Sequence, residues 1–213
     1  MTTYRLDRMF APRSVAVVGA SPREHSVGRK ILRNLKAADF AGAIHLVNPN
    51  YAEIEGVKTI RSTADLTETD LLIIASPPAT VPQIIADAGA RGCATAIIIT
   101  AGLGAGEGSL AEAAVQAAGA HRVRLLGPNC LGVQVPGARL DASFAAHMSR
   151  PGELALISQS GAIVAGLVEW AARRSVGFSG VVSLGNQIDI DFGDLLDYFA
   201  TDFAGDPDFA ILR

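Results

Sequence analysis

The sequence predicts an α/β fold in which helices cover both faces of a parallel sheet. Short runs of Val, Ile, Leu and Ala alternate with helical patterns, as is typical of strands buried on both faces. Hydrophobic residues make up 49% of the chain and aromatic residues only 6%, a balance that suits such strands and Ala-rich helices. The 213 residues are enough for one large domain of this kind or two small ones.

Composition and charge argue against several classes of function. The net charge is −3, from 18 basic and 21 acidic residues without a basic block, so nucleic acid is not an expected partner. The longest apolar runs are far shorter than the ~20 residues that a membrane span needs, and the N-terminus lacks the apolar region of a signal peptide. Cys93 and Cys130 have neither metal nor redox spacing, so we predict no metal site and a reduced, cytoplasmic location.

Five strands are predicted in the first 127 residues, and each ends in a polar or glycine-containing turn. Ligands of doubly wound sheets collect at the carboxyl ends of the strands, so these turns contain the candidate binding residues. They are Gly19 with Ser21, Asn48–Pro49, Ser76–Pro77, Thr100–Gly102 and Gly127–Asn129.

The loop after the first predicted strand has the features of a phosphate-binding loop. A buried strand ends at Gly19, and a helical pattern begins near Gly28, so backbone N–H groups and a helix N-terminus could face an anion. An ordinary connecting loop is the alternative. The two glycines are too far apart for a dinucleotide-binding fingerprint, and Asn48 stands where an NAD-binding unit has an acidic residue. A dehydrogenase is therefore disfavoured.

A second α/β unit is predicted after a linker over residues 136–152. Its first strand (154–157) leads through Ser158–Gly161 into a helix whose N-terminus could bind phosphate. A nucleophilic role for Ser160 is disfavoured, because the Gly-x-Ser-x-Gly pattern is absent and no histidine follows His147. The predicted division is residues 1–135, the linker 136–152 and residues 153–213.

The last part of the chain contains two further signals. Asp189, Asp191, Asp194 and Asp197 surround a helix start, and we interpret them as compensating the helix dipole on a solvated face; a metal site is the alternative. A turn signal at 205–207 precedes an apolar run from Asp208, which predicts a strand without the helix that should cover it. We therefore expect the chain to be part of a longer polypeptide.

Six motifs occur in an order that resembles a known family. They are Val15–Ser21, Val47–Pro49, Ile99–Gly102, Leu126–Gly132, Ile157–Gly161 and Ser183–Asn186. Over nearly the whole chain, the set resembles the NDP-forming acyl-CoA synthetases, which are related to the succinyl-CoA synthetase α-subunit. The resemblance implies a Rossmann-like CoA-binding domain followed by the beginning of a flavodoxin-like ligase domain.

The resemblance also implies roles for individual residues. The first loop would hold a CoA phosphate, Thr100 and Ala101 would line the thiol arm, and Cys130 would lie near the reacting end. The implied CoA-binding residues are Gly19, Ala20, Ser21, Pro22, Pro49, Asn50, Ser76, Pro77, Thr100, Ala101, Asn129 and Cys130. Asn50 stands where the family usually has a lysine. The implied phosphate-binding residues, for a phosphorylated histidine beyond this sequence, are Ser158, Ser160 and Gly161.

The implied reaction converts acyl-CoA, ADP and phosphate into a carboxylic acid, CoA and ATP. The resemblance places ATP or ADP, Mg and an ATP-grasp domain or β-subunit outside these residues, implies an oligomer, and assigns no catalytic residue to this sequence. The alternative is a CoA- or acetyl-CoA-sensing region of a protein lysine acetyltransferase with a fused acetyltransferase domain.

Overall fold

The computed structural model describes residues 2–202 and 210–212 of the chain. The helices are α1 (Asp7–Phe10), α2 (Val27–Ala37), α3 (Val81–Ala90), α4 (Leu110–His121), α5 (Gly161–Ala172) and α6 (Phe192–Asp202). The strands are β1 (Ser14–Val18), β2 (Ala43–Val47), β3 (Glu53–Ile54), β4 (Val57–Ile60), β5 (Leu71–Ile74), β6 (Thr95–Ile98), β7 (Arg124–Leu126), β8 (Gly132–Val135), β9 (Leu140–Ser143), β10 (Arg150–Ser158), β11 (Gly177–Ser183) and β12 (Ala210–Leu212). The turn predicted at 205–207 lies outside the described residues.

The first sheet confirms the predicted parallel, doubly wound arrangement. Its strand order is β3-β4-β2-β1-β5-β6-β7, and every neighbouring pair except β3–β4 is parallel. Without the antiparallel edge strand β3, this is the 3-2-1-4-5-6 order of Rossmann folds. The order reverses between β1 and β5, so the carboxyl ends of these strands open a crevice there.

Alternate residues of the central strands pack into two different cores. Val17 and Ile73 belong to a core that includes α2 and continues into the second sheet, whereas Ala16 and Ile74 pack with α3 and α4 on the opposite face. Burial on both faces explains why these strands are continuous apolar runs in the sequence rather than alternating ones.

A hairpin that the sequence analysis missed extends the first sheet. Strands β3 and β4 pair antiparallel with Ile54 opposite Val57. The two residues between them, Glu55 and Gly56, have φ angles of 51° and 80°. Positive φ at both central positions is the requirement of a type I′ turn, which suits two-residue hairpins.

Much of the segment predicted as a linker is regular structure. Strands β8 and β9 form a hairpin, and β10 already begins at Arg150. The second sheet has the order β12-β10-β11-β8-β9, in which β8 runs antiparallel to both neighbours. The alternation of strand and helix lapses there because hairpin strands need no crossover helix. The domain boundaries themselves remain a prediction.

The remaining elements of the second unit agree with the sequence analysis. The predicted helix after Ser160 is α5, and the strand predicted at 178–183 is β11. The strand predicted near the end of the chain is present as β12, which pairs parallel with β10. Helix α5 packs against the outer face of this sheet through Val164, Val168 and Ala171.

Candidate functional site

The loop between β1 and α2 is packed so closely that two positions require glycine. A Cβ on Gly19 would lie 2.4 Å from the carbonyl oxygen of Ala75, and the φ angle of Gly19 is +93°. A Cβ on Gly28 would lie 2.6 Å from the backbone nitrogen of Ala20. The loop therefore lies directly against the end of β5, with the N-terminus of α2 packed against its backbone.

Two polar side chains hold this loop in place. The hydroxyl of Ser26 accepts hydrogen bonds from the backbone N–H of Arg29, as the N-cap of α2, and from that of Ser21. The buried amide of Asn48 donates to the carbonyl oxygen of Ala20 at 2.7 Å. Asn48, at the position where an NAD-binding unit has an acidic residue, thus joins the loop to the end of β2.

A cleft of 660 Å³ opens above the carboxyl ends of β2, β1 and β5. Six of the implied CoA-binding residues line it: Gly19, Ser21, Pro49, Asn50, Ser76 and Pro77. It also contains residues that the sequence analysis did not select, namely Arg23, Tyr51, Arg61, Ser62, Thr63, Gln83 and Asp87. We call it the first cleft.

The first cleft contains two exposed guanidinium groups. Arg23 lies in the loop after β1, and Arg61 directly follows β4. Within the described residues, neither forms an ion pair, so their charge is not neutralised by the protein itself. Arg61 was missed because β4 was missed; Gly56, as the second residue of a hairpin turn, was the signal that could have revealed both.

A second cleft of 480 Å³ lies farther along the same sheet edge, where the two units meet. Its lining includes four of the predicted site residues, Asn129, Cys130, Ser160 and Gly161. Its remaining lining residues are Ile99, Leu131, Phe144, Gln159, Ala162 and Ala165. The Asn129 turn and the start of α5 therefore line the same cleft.

The N-terminus of α5 faces this second cleft. The hydroxyl of Ser160 caps the helix by accepting from the backbone N–H of Ile163 at 3.4 Å. The hydroxyl of Ser158 accepts from the N–H of Ser160 at 3.2 Å. The first turn of a helix leaves backbone N–H groups without helical partners, and its dipole favours a negative charge, so this end of the cleft can bind an anion.

Five of the predicted site residues line neither cleft. Ala20 is fully buried, and Pro22 is exposed. Thr100 donates its hydroxyl to the carbonyl oxygen of Ser76 at 2.7 Å, and its own carbonyl accepts from the N–H of Asn129. Thr100 therefore links the first cleft to the second. The other residues outside the linings are Ala101 and Ser158.

The environment of Cys130 disfavours the thiolate form of its thiol. Burial raises its pKa to about 12, and the thiol donates to the carbonyl oxygen of Ile98 at 3.4 Å. A cysteine with this pKa is protonated at neutral pH, whereas nucleophilic attack requires the thiolate. Cys130 consequently contributes shape to the second cleft.

Backbone hydrogen bonds join β7 and the turn after it to residues 186–190 of the second unit. The N–H groups of Asn186, Ile188 and Ile190 donate to the carbonyl oxygens of Pro128, Gly127 and Leu125 at 2.9, 3.2 and 3.1 Å. This ladder fixes the wall of the second cleft that carries Asn129.

Two of the four acidic residues around the start of α6, Asp189 and Asp194, differ from the solvated dipole compensation that the sequence suggested. Asp194 is buried, and Asp189 and Asp194 both form ion pairs with the buried guanidinium of Arg124. Asp191 does fit the prediction, because its carboxylate accepts from the N–H of Asp194 at the start of the helix. Within residues 2–202, no three His, Cys, Asp or Glu side chains are grouped so that they could hold a metal ion.

Comparisons with known proteins decide the family. Residues 13–136, more than half of the chain, match the CoA-binding domain. The chain belongs to this CoA-binding family. Residues 151–206 match the succinyl-CoA ligase-like flavodoxin domain. The predicted resemblance to the NDP-forming acyl-CoA synthetases is thereby confirmed, as is the predicted pair of folds.

Individual relatives of this CoA-binding chain support the same family assignment. An ADP-forming acetate–CoA ligase of Methanocaldococcus jannaschii is 40% identical over 93% of this chain. The α-subunit of an ADP-forming acetate–CoA ligase I of Pyrococcus furiosus is 39% identical over 92% of it. The apo structure of a dinucleotide-forming acetyl-coenzyme A synthetase 1 of Ca. Korarchaeum cryptofilum superposes over 97% of it with a TM-score of 0.89 and 37% identity.

The chain is shorter than these relatives. It spans 28% of the Methanocaldococcus protein, 44% of the Pyrococcus subunit and 45% of the Korarchaeum chain. In the part of the chain that the structure describes, each helix is too short or too polar to cross a membrane.

Proposed function

We propose that this chain is the CoA-binding part of an ADP-forming acid–CoA ligase. The full reaction would convert acyl-CoA, ADP and phosphate into a carboxylic acid, CoA and ATP. The observation that carries the proposal is the pair of clefts on one sheet edge, joined through Thr100. One cleft offers cationic side chains, and the other offers a helix N-terminus beside an apolar wall. An elongated thioester with a phosphorylated end and an acyl end needs both environments.

The first cleft would bind the nucleotide end of CoA. The backbone around Gly19 and Ser21, near the N-terminus of α2, suits a phosphate group. The guanidinium groups of Arg23 and Arg61 would supply the charge that the family usually takes from a lysine at the position of Asn50.

The second cleft would hold the reacting end. The N-terminus of α5, capped by Ser160, would stabilise a phosphoryl group while the turn at Asn129 flanks the CoA thiol. The nucleophile in the thioester-forming direction would be that CoA thiol.

Other components would come from outside these residues. They are the phosphohistidine, ADP or ATP with Mg, and an ATP-grasp domain or β-subunit, fused or separate, in an oligomeric assembly. Two observations on relatives support this. A Pyrococcus relative is named as an α-subunit, and a Korarchaeum synthetase structure contains phosphate and ADP. We further propose the division into residues 1–135, 136–152 and 153–213, and a cytoplasmic location because both cysteines are free thiols.

Calorimetric titration with CoA, dephospho-CoA and NAD tests the binding proposal. We expect CoA to bind, dephospho-CoA to bind more weakly because it lacks one phosphate, and NAD not to bind. Equal heats from CoA and NAD, or none from CoA at millimolar concentration, would refute it. In the complete polypeptide, ATP formation from acetyl-CoA, ADP and phosphate separates a ligase from the CoA-sensing alternative, which would bind CoA without forming ATP.

A further inference from the structure

Phe144 occupies an unusual position for a large apolar residue. It lines the second cleft, yet 37% of its surface is exposed. It directly follows β9, the second strand of the hairpin, and lies within the segment that the sequence predicted as a linker. Burial of an aromatic ring stabilises a protein, and this ring is partly exposed instead. Its position in the cleft is therefore more consistent with a role in binding than with one in the core.

The backbone around Phe144 is clamped from two sides. The amide of Asn34 on α2 donates to the carbonyl oxygens of Ser143 and Ala145, the two neighbours of Phe144, at 2.9 and 3.0 Å. The N–H of Phe144 itself donates to the carbonyl oxygen of Leu131 at 3.3 Å. Asn34 is buried, so its two hydrogen bonds are shielded from water.

A second layer of buried polar groups supports the clamp. The hydroxyl of Ser143 donates to the carboxylate of Asp141 at 2.6 Å and accepts from the N–H of Ala145 at 3.2 Å. The amide of Gln134 donates to the same carboxylate and to the carbonyl oxygen of His147. This network fixes the residues on both sides of the ring. A network of this kind gives the ring a defined place before any ligand arrives.

The walls around Phe144 differ in size. Ala162 and Ala165, on the first turns of α5, contribute small side chains, whereas Ile99 and Leu131 contribute aliphatic ones. All of them lie beside the helix N-terminus and the Asn129 turn. Phe144 is therefore the largest side chain in the lining, and the one whose removal would enlarge the cleft most.

We propose that Phe144 limits the size of the acyl group that this protein accepts, and that Asn34 is its positioning residue. The inference rests on the proposed function, because it assigns the second cleft to the acyl end of the thioester. Short aliphatic acyl groups fit beside the ring, and aromatic acyl groups are excluded by it. A single methylene in an apolar pocket changes selectivity by roughly 10–200-fold, so a whole ring is ample for this discrimination.

Calorimetry with CoA, acetyl-CoA, butyryl-CoA and benzoyl-CoA tests this assignment. The proteins compared are the wild type, Phe144→Ala, Asn34→Ala and the control Trp170→Ala, which removes another exposed aromatic ring from outside the cleft lining. We expect the wild type to bind benzoyl-CoA at least roughly tenfold more weakly than acetyl-CoA. Phe144→Ala should bring this ratio close to one, and Trp170→Ala should keep the wild-type ratio.

The outcomes distinguish the role of Phe144 from CoA binding itself. A wild-type ratio retained in Phe144→Ala, with CoA still binding, overturns the role of Phe144 and leaves the CoA-binding proposal standing. Failure of CoA to bind the wild type refutes both. Asn34→Ala should lower the ratio in the same direction as Phe144→Ala. A purely structural loss would instead weaken all four ligands equally and refute the positioning role.

Discussion

Arg124 and Asp194 form a buried ion pair between the first sheet and the start of α6, with 2.7 Å between Nη2 and Oδ2. The same guanidinium bonds Asp189 and the carbonyl oxygen of Thr2. One side chain thus connects the N-terminal residues, β7 and the second unit, and it begins the strand that leads into the turn beside the second cleft.

Replacing Arg124 with alanine should strongly destabilise the protein. The change leaves the carboxylate of Asp194 buried without its charge partner, which costs about 3–5 kcal/mol of unfolding free energy. Urea denaturation at neutral pH measures the loss. The control is Arg139→Ala, which breaks an exposed pair with Asp39 and should cost about 0–1 kcal/mol. Equal losses in the two variants would contradict the structural role of Arg124.

Asn48→Ala should weaken both the fold and CoA binding. It removes the hydrogen bonds to the carbonyl oxygen of Ala20 and from the N–H of Asn50, and a buried group left unpaired costs about 1–3 kcal/mol. The loop after β1 loses its anchor, so CoA affinity should fall as well. Thermal unfolding and calorimetry measure the two effects. Asn50→Ala is the control, because it keeps the backbone N–H and should leave stability unchanged.

Arg61→Ala should lower the affinity for CoA by roughly tenfold, because a hydrogen bond from a charged donor to phosphate contributes about 1.5–3 kcal/mol. The affinity of the variant should also depend less on salt concentration, because salt screens the attraction between Arg61 and phosphate and the variant lacks this attraction. Titrations at two ionic strengths measure both effects. Arg173→Ala removes an exposed arginine paired with Glu169 on α5 and should change neither. An unchanged affinity in Arg61→Ala would exclude Arg61 from the CoA site.

Asp141 should make the protein less stable as the pH rises from 5 to 7. Burial raises the pKa of its carboxyl to about 6, although hydrogen bonds from Ser143 and Gln134 oppose the shift. A group with a raised pKa in the folded state contributes stability that is complete below its unfolded pKa and is lost as pH passes through about 6.

The pH profile of unfolding free energy measures this contribution. Asp141→Asn should flatten the profile between pH 5 and 7, since the side chain can no longer ionise. Asp39→Asn, at an exposed position, should retain the wild-type slope. If Asp141→Asn kept the wild-type pH profile of unfolding free energy, Asp141 would not be the group that changes stability between pH 5 and 7.

The parallel core was predictable because burial on both faces leaves a direct record in the sequence, as in residues 71–74 and 95–98. Once these strands were predicted, the positions of their carboxyl ends were known, and those ends contain many of the residues that line the first cleft. The hairpins were not predictable from the sequence, because a two-residue strand such as β3 is too short to show periodicity. Only Gly56 marked the turn between β3 and β4. Arg61 and Phe144 were missed for that reason: each directly follows a hairpin strand.

The roles of charged residues were harder to predict than their positions. Asp189 and Asp194 were recognised as a series at a helix start, but their partner Arg124 lies more than sixty residues earlier in the chain. Sequence spacing records helical neighbours, whereas pairs between distant elements depend on the packing of two sheets.

The hydrogen bonds that residues 186–190 make to the turn after β7 also close the edge of the first sheet. β7 is the last strand of its sheet, and its outward groups are occupied: the N–H of Leu125 donates to the carboxylate of Asp189, and its carbonyl oxygen accepts from Ile190. An open strand edge is a template for pairing with another molecule. Residues 1–135 produced alone would expose that edge, and we expect them to self-associate where the longer chain does not.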